Sequence, residues 1–383
     1  MKTVSRKLTY TILSISLLTV MAGAAIAPAL GVIRNHFADA SDLLVQFIVS
    51  LPALFIIVTN LCFGALCRHF GTKTIALAGL VLYVLAGAGA FFVDSIGILL
   101  ILRALLGISV GMIMPLSTGL LSFYFPPEEQ ASLMGLAAAM NQLGGVVATL
   151  LAGLLAQMRW NYAFLVYLLG LIAIVMVVLF LPNEHIESKG RVSLGLLKRF
   201  HPSVIGMLLL MILFFIYPTN FAIAADGMTT LSGTWVTVIM VGLDLIAFFV
   251  GLGFGAIMGK SPKAIKYIAP IGFLIGYLTM SVMPGAMALI VGSVFIGIAN
   301  GIGVPYLNTI ASLKAGKEAA TTVMPLLSAA LYLGQFVSPL IVLPMGKALF
   351  GESNPTAPFA VGVIISVIFL GQMFLTRKRQ VIS

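Results

Sequence analysis

The sequence predicts an all-α integral membrane protein whose twelve transmembrane helices form two six-helix bundles. The composition is 61% hydrophobic and only 8% charged over 383 residues, which leaves too few polar side chains to cover a water-soluble globule. The apolar residues fall into long runs separated by short polar breaks, and each run can cross a hydrocarbon layer of about 30 Å. The basic residues are concentrated in alternate breaks, as the positive-inside rule predicts for cytoplasmic loops.

Twelve apolar runs of 20 to 27 residues each are long enough to cross the bilayer with some tilt. In chain order, the predicted spans are 8–33, 43–66, 74–93, 96–122, 131–157, 161–182, 203–225, 233–258, 264–283, 286–312, 320–346 and 357–376. The first run follows Lys2, Arg6 and Lys7, as the apolar region of a signal peptide does. It is longer than an ordinary region of that kind, so we interpret it as the first span.

The charges predict the orientation of these spans. Of the 21 Lys and Arg residues, 17 lie in or at the edge of the breaks on the side of the N-terminus, three lie in the opposite breaks and one, Arg103, lies deep inside a span. The positive-inside rule then predicts that both termini are cytoplasmic, in a cell (inner) membrane of the bacterial type. The formal net charge of +10 is therefore explained by topology, and no nucleic-acid partner is expected.

The longest polar break divides the chain into two halves of six spans. We predict an N-terminal bundle at 1–182, a cytoplasmic linker at 183–202 and a C-terminal bundle at 203–383. The halves also repeat in sequence, because glycines and prolines coincide when the chain is shifted by 190 residues. The coincident pairs include Gly107 with Gly297, Gly111 with Gly301, Pro115 with Pro305, Gly144 with Gly334 and Pro28 with Pro218.

The fourth and fifth spans carry residues at characteristic spacing. In the fourth, Arg103 is followed by Gly107 and Gly111. In the fifth, small residues that allow close helix packing recur at Gly135, Gly144, Ala148 and Gly153. These patterns resemble the helix 4 arginine motif and the helix 5 antiporter motif of the major facilitator superfamily. Ala148–Thr149 and Ala152–Gly153 stand where the antiporter motif usually has Gly-Pro and Gly-Gly.

The break after the second span also resembles this family. Gly64, Gly71 and Lys73 agree with its signature loop between helices 2 and 3, whereas Arg68 replaces the usual aspartate. The resemblance implies a gating role for this loop. The alternative is a basic loop that only sets the topology.

Two further segments, Ala27–Phe37 and Arg159–Phe164, are similar to segments of drug–proton antiporters and sugar-efflux members of the superfamily. The resemblance implies the major facilitator fold. In that fold two parallel bundles are related by a pseudo-twofold axis along the membrane normal, and the substrate site lies at midplane between them.

Two ionisable residues lie deep in the predicted spans. Arg103 lies about 10 Å along the fourth span by helical rise, where a charge is expected to face protein or a wet cavity; the alternative is a side chain that reaches the outer interface. Asp244 lies near the middle of the eighth span, on a face of small residues. Desolvation favours the neutral form of a carboxyl, so we predict that Asp244 carries the coupled proton. Arg103 is the second proton-coupling candidate, as a cation that responds to the charge or holds an acceptor. The alternative for Asp244 is a structural hydrogen bond.

Neutral polar side chains inside the spans also need partners, which a substrate cavity can provide. Each such residue alone more often bonds to a neighbouring helix, but the group is expected to include substrate contacts. The candidates are Asn141, Gln142, Tyr217, Asn220, Asn300, Tyr306, Tyr332 and Gln335.

We therefore predict a secondary active transporter that works by alternating access and exports a small amphipathic or hydrophobic compound in exchange for protons. The alternative is an organic-anion or metabolite carrier without proton antiport, in which Arg103 binds the charge of the substrate. The expected partners are a small-molecule substrate, protons and the lipid bilayer. The chain is expected to act as a monomer.

Other function classes lack the residues that they need. The sequence contains no G-x-x-x-x-G-K-[ST] loop, which disfavours transport driven directly by ATP. The four histidines lie at or beyond the ends of the spans, so no membrane-embedded enzyme is expected. Cys62 and Cys67 lack the spacing of a metal site, and neither a metal nor a cofactor is expected. A channel is disfavoured because the spans contain no repeated ring of charged residues.

Overall fold

The structure, a computed structural model, describes residues 6–185, 194–228, 231–260, 264–283, 285–351 and 354–380. The regular secondary structure in these residues is entirely helical. The chain divides into two compact units, Met1–Lys189 and Gly190–Ser383. Within the described ranges, 11 helices are long and apolar enough to cross a membrane, or 12 if one bent pair is counted as a single span. The all-helical membrane fold predicted from the sequence is thus confirmed.

The described part of the first unit contains eight α-helices and three 3₁₀ segments. The α-helices are α1 (Arg6–Thr19), α2 (Met21–Ala24), α3 (Leu30–His36), α4 (Asp42–His69), α5 (Thr72–Ala88), α6 (Ile96–Tyr124), α7 (Pro127–Met158) and α8 (Gly170–Phe180). The 3₁₀ segments are Ala27–Ala29, Gly89–Phe92 and Trp160–Leu169. Predicted spans two to five correspond to α4 to α7, and the sixth begins as the 3₁₀ segment at Trp160 and continues into α8.

The first span is broken, whereas the sequence analysis predicts one continuous helix at 8–33. The chain bends by 41° between Arg6–Thr19 and Met21–His36. Pro28 lies in the 3₁₀ segment that follows α2. Because proline has no backbone N–H and its ring crowds the preceding turn, Pro28 explains why α2 ends at Ala24. It does not explain the bend near Val20, which lies eight residues earlier in the chain.

In the second unit, the described residues form six α-helices. They are α9 (Leu194–Met228), α10 (Gly233–Leu252), α11 (Phe254–Lys260), α12 (Ile265–Val282), α13 (Ala286–Phe350) and α14 (Ala357–Gln380). Because α9 begins at Leu194, the last part of the predicted linker 183–202 is helical. Lys189 and Arg191 of that linker, like Lys2 and Lys263, lie outside the described residues.

The tenth and eleventh spans lie on one helical element, α13, although the sequence analysis predicts a polar break between 312 and 320. The two spans are Ala286–Ala315 and Val323–Phe350. The residues between them include Lys317, Glu318, Ala319 and Ala320, all strong helix formers. Polarity here ends a span without ending the helix, which explains the difference.

Corresponding glycines make corresponding helix contacts inside each unit. A Cβ added to Gly107 on α6 would lie 2.4 Å from the Pro52 carbonyl oxygen on α4, and one added to Gly297 on α13 would lie 2.9 Å from the Leu243 carbonyl oxygen on α10. Gly144 on α7 lies against the backbone of α1, where an added Cβ would lie 2.0 Å from the nearest carbonyl oxygen. Gly334 on α13 lies against the backbone of α9 in the same way, with a distance of 2.7 Å. The repeat in the sequence therefore reflects a repeat of backbone contacts that only glycine permits.

Candidate functional site

Arg103 lies in the core of the first unit, on α6, with 0% of its surface exposed. Its Nη1 donates a hydrogen bond to the Tyr167 hydroxyl at 3.1 Å, and its Nη2 lies 3.3 Å from the carbonyl oxygens of both Ala86 and Gly87. The guanidinium carbon is 5.0 Å from the ring centroids of Phe164 and Tyr167. Carbonyl oxygens and aromatic faces thus stabilise this buried cation.

Tyr167 connects Arg103 to the break in the first span. Its hydroxyl lies 3.4 Å from the carbonyl oxygen of Met21 and 3.3 Å from that of Ala22, both in the short helix α2. The last carbonyls of a helix have no partner within the helix, so this hydroxyl provides a donor that the bent backbone lacks. The contacts indicate that the Arg103–Tyr167 pair holds the bend of the first span against α6.

Removal of the Tyr167 hydroxyl should loosen this bend. In Tyr167→Phe, Nη1 of Arg103 loses its acceptor and the α2 carbonyls lose a donor, so we expect a loss of about 2 kcal/mol of stability. Thermal unfolding of the purified protein in detergent measures the change. The matched control is Tyr162→Phe, because the Tyr162 hydroxyl makes no hydrogen bond within the described residues. Equal melting temperatures for the two variants would contradict the role of Tyr167.

The second unit contains a buried polar cluster between α9, α12 and α13. The hydroxyls of Tyr217 and Ser293 lie 2.8 Å apart, and the Tyr277 hydroxyl donates to the Leu213 carbonyl. The ring of Tyr217 stacks on that of Phe221 with centroids 4.4 Å apart. Tyr217 and Ser293 are each only 2% exposed, so the cluster is desolvated.

Asp244 lies beside this cluster, on α10. It is half-buried, and it is close enough to Tyr217 for the two side chains to interact electrostatically. One and two helical turns further on, Ala247 and Gly251 pack against α13, where a Cβ added to Gly301 would lie 2.6 Å from the Ala247 carbonyl oxygen. The structure therefore brings Asp244 and Tyr217 together, two of the residues that the sequence analysis singles out.

The remaining polar candidates are distributed over both units. Asn141 hydrogen-bonds Thr19 at 2.9 Å, and Asn220 donates to the Ile216 carbonyl at 2.9 Å. These two amides are thus engaged in helix contacts. Gln142, Tyr332 and Gln335 are half-buried, Tyr306 is buried, and Asn300 has a buried Oδ1 that no described residue hydrogen-bonds. A substrate-binding role for these residues stays a prediction.

The predicted gating loop packs against the end of α8 and the chain that follows it. The Lys73 ammonium donates to the Val178 carbonyl at 2.8 Å, and the Lys73 backbone N–H donates to Asn183 Oδ1 at 3.2 Å. Gly71 is buried here, since an added Cβ would lie 2.1 Å from Asn183 Oδ1. Gly64 is half-buried, whereas Arg68 is exposed at the end of α4 and pairs with no described residue. The loop is therefore fixed to the end of its own unit by the contacts of Gly71 and Lys73. Its gating role stays a prediction.

The predicted packing motif on α7 divides into packed and open positions. Gly144 lies against α1, Ala148 is 0% exposed and Gly153 is buried. Gly135 is exposed, and an added Cβ would meet no described atom within 4 Å. Gly135 thus has no close helix neighbour among the described residues, and its part in a packing motif stays a prediction.

The sequence analysis missed the two tyrosines that support the first helix of each unit. Tyr167 reaches α2, and Tyr277 reaches α9. Each ring packs on a glycine: a Cβ added to Gly87 would lie 2.5 Å from Tyr167, and one added to Gly362 would lie 2.7 Å from Tyr277. A tyrosine inside a span, together with a glycine in another span of the same half, is the signal that could have found them.

The segments Ala27–Phe37 and Arg159–Phe164 meet at the end of the broken first span. The His36 ring stacks on Trp160 with centroids 4.4 Å apart, and its Nε2 lies 2.5 Å from Asp94 Oδ1. His36, Trp160 and Asp94 thus join three separate span ends. These contacts explain the aromatic and polar residues at the ends of the two segments.

The sequence model of the Major Facilitator Superfamily matches residues 12–339. The chain belongs to the Major Facilitator Superfamily. It is therefore a multi-pass membrane transporter and not an enzyme, as the residue patterns predict.

Curated relatives match in part only. The arabinose-proton symporter of Escherichia coli (strain K12) is 30% identical over 173 residues, which cover 43% of this chain and 36% of the symporter. The multidrug transporter AQR1 of Candida glabrata is 27% identical over 138 residues, which cover 36% of this chain and 23% of that protein. The matched segments span about half the length of the curated relatives or less.

The fold matches a solved structure over its whole length. A bacterial homologue of the human lysosomal transporter Spinster, in an inward-facing and occupied conformation, superposes with a TM-score of 0.80 over 99% of this chain and 98% of that chain. The two sequences are 16% identical, so this likeness shows the fold alone.

Proposed function

We propose that this superfamily member is a secondary active transporter that exports a small amphipathic or hydrophobic compound in exchange for protons. In this proposal Asp244 binds the coupled proton, and alternating access exposes it first to one side of the membrane and then to the other. The proposed location is a bacterial-type cell membrane with both termini in the cytoplasm, which the distribution of basic residues supports.

The position of Asp244 carries the proposal. Within the described membrane spans it is the only carboxyl away from a span end, since Asp42 begins its span and Asp226 ends its span. An ionisable group at such depth is costly and marks ion pathways in transporters. The buried hydroxyls of Tyr217 and Ser293 bond to each other, and Asp244 lies within electrostatic range of Tyr217, so the carboxyl has polar groups nearby.

The surroundings of Arg103 favour this function over an organic-anion carrier. The guanidinium is fully buried, and its hydrogen bonds go to a phenol and two backbone carbonyls. To bind Arg103, an anionic substrate would have to reach a guanidinium that has no exposed surface. A relative named as a multidrug transporter supports drug-like substrates, and one named as an arabinose-proton symporter supports coupling to protons, in that protein by symport.

A thermal-shift screen at ~pH 5.5 and ~pH 8 tests the proposal. The screen compares lipophilic cations, uncharged amphiphiles and organic anions on the purified protein. If protons and substrate compete, a lipophilic cation or an uncharged amphiphile should stabilise the protein more at the higher pH. Stabilisation by organic anions alone, with the same shift at both pH values, would overturn the proposal and favour the anion carrier.

A further inference from the structure

One histidine joins the far end of the broken first span to two other spans. His36 lies in the last turn of α3, and its ring stacks on Trp160 with an angle of 23° between the ring planes. Its Nε2 lies 2.5 Å from Oδ1 of Asp94. Trp160 begins the sixth span and Asp94 precedes α6, so the two partners belong to different parts of the unit.

A hydrogen bond between two 3₁₀ segments holds these partners in place. Asn161, which follows Trp160 directly, donates from its Nδ2 to the Phe91 carbonyl at 2.8 Å and is only 7% exposed. Phe91 lies three residues before Asp94. The Trp160 ring also meets the buried ring of Phe164 edge-on, with centroids 6.2 Å apart. None of these contacts involves the histidine, so Trp160 and Asp94 are positioned for the imidazole by other residues.

The charged groups around the imidazole differ in what they contact. Arg34, on the same helix, forms an ion pair with Asp42 of α4 at 2.7 Å. Asp94 is the carboxylate that contacts the imidazole. The other charged side chains on the elements that meet here, Asp39 and Arg159, are exposed. Among the ion pairs printed by the described residues here, the one with Asp94 is therefore the one that depends on a histidine.

A positive charge on the imidazole strengthens both of its contacts. Histidine is the side chain that ordinarily changes its charge between about pH 5 and pH 8. A carboxylate attracts an imidazolium, and so does the face of an indole ring, whereas a neutral imidazole lacks both attractions. The side chains of His36 and Asp94 are 34% and 76% exposed, so solvent protons reach the pair. An exposed ion pair alone is weak, but here two contacts depend on the same proton.

We propose that the contacts of His36 with Asp94 and Trp160 form a pH-sensitive clamp, which holds α3 to the sixth span at acidic pH and releases it at alkaline pH. The sequence predicts that this end of the unit faces the outside, because Arg34 and Arg159 lie in the breaks opposite the N-terminus. The clamp would thus respond to the pH outside the cell. It involves neither Asp244 nor the transported compound, so its test is independent of the proposed function.

The test measures how easily acrylamide reaches Trp160 in the purified full-length protein. Trp235→Phe leaves Trp160 as the only tryptophan of the chain, so the fluorescence reports on this site alone. Acrylamide quenches an indole on contact, and a stacked imidazole covers one of the two ring faces. Acrylamide should therefore quench Trp160 up to about twofold more strongly at ~pH 8 than at ~pH 5.5.

Three variants in this background separate charge from shape. His36→Arg keeps a permanent planar cation that can stack and pair with Asp94, so it should protect Trp160 at both pH values. His36→Gln should protect it at neither, and Asp94→Asn should weaken the protection at acidic pH. The matched control is His69→Gln, which removes an exposed histidine at the end of α4 and should keep the pH dependence.

Two results would overturn the proposal. One is quenching that does not depend on pH while His36 and Asp94 are both present. The other is a pH dependence that persists unchanged in His36→Gln or in Asp94→Asn.

Discussion

Asp244→Asn should abolish uphill transport while sparing exchange of substrate across the membrane. Asparagine has nearly the shape of a protonated aspartate and keeps hydrogen-bonding atoms, but it cannot release a proton. The substituted carrier holds no exchangeable proton for the substrate to displace, so it can still exchange substrate for substrate but cannot couple transport to proton entry. Both activities are measured in proteoliposomes that contain the protein, with a compound that stabilises it in the thermal-shift screen as the substrate. Accumulation against a gradient should fall to the level of protein-free liposomes, and counterflow should persist.

The control for this experiment is Asp226→Asn. Asp226 is an exposed carboxyl at the end of the α9 span, in the same unit. The substitution removes the same charge outside the buried cluster, so uphill transport should continue. Equal loss of uphill transport in both variants would point to surface charge as the cause, and equal retention would exclude Asp244 as the proton carrier.

Gly144→Ala should destabilise the first unit by about 2 to 3 kcal/mol, because a methyl group there meets a backbone atom. The new Cβ would lie 2.0 Å from the Leu17 carbonyl oxygen of α1. A side chain can rotate away from such a clash, but a helix backbone must move as a whole. The separation of α7 from α1 would also affect the bend that Tyr167 holds. Unfolding by heat in detergent, followed by circular dichroism, measures the loss.

Gly135→Ala provides a matched control on the same helix. Gly135 is exposed and an added Cβ meets no described atom within 4 Å, so the substitution should leave the melting temperature unchanged or raise it slightly. Gly334→Ala is the equivalent change in the second unit and should destabilise as Gly144→Ala does, since its Cβ would lie 2.7 Å from the Leu208 carbonyl oxygen. A variant of Gly144 as stable as that of Gly135 would contradict the packing seen here.

The length and apolarity of the runs are sufficient to predict most of the spans. Hydrocarbon thickness sets a minimum length for each run, and every backbone group must be bonded within it, so composition alone identifies a membrane helix. The glycine repeat also predicts real contacts, because Gly107 and Gly297 each lie against a neighbouring backbone. Such patterns can be interpreted from the sequence alone, because bilayer thickness sets the length of a run and close helix packing requires glycine.

The break of the first span and the continuity of α13 depend on information that hydropathy does not contain. Pro28 lies eight residues beyond the bend, and the backbone directly after the bend is contacted by Tyr167, which lies far away in the chain. The polarity between the tenth and eleventh spans ends the membrane segment, whereas helix propensity keeps the backbone helical. Hydropathy and helix propensity are separate properties, and they disagree at this place.

The candidate site shows the same limit. Depth in a span singles out Arg103 and Asp244, but it does not tell a structural cation from a functional carboxyl. The hydrogen-bond partners of a buried charge distinguish the two roles. For Arg103 these partners are Tyr167 and two backbone carbonyls, which sequence spacing does not reveal. Asp244 instead lies beside a pair of buried hydroxyls on neighbouring helices.

Proton release on substrate binding tests most directly whether Asp244 carries the coupled proton. Purified protein in a weakly buffered detergent solution with a pH-sensitive dye receives a substrate from the screen at near-neutral pH. If substrate and proton compete for the carboxyl, the wild type should release a proton when it binds substrate, and Asp244→Asn should bind substrate without release. The same proton release from Asp244→Asn as from the wild type would show that another group carries the proton.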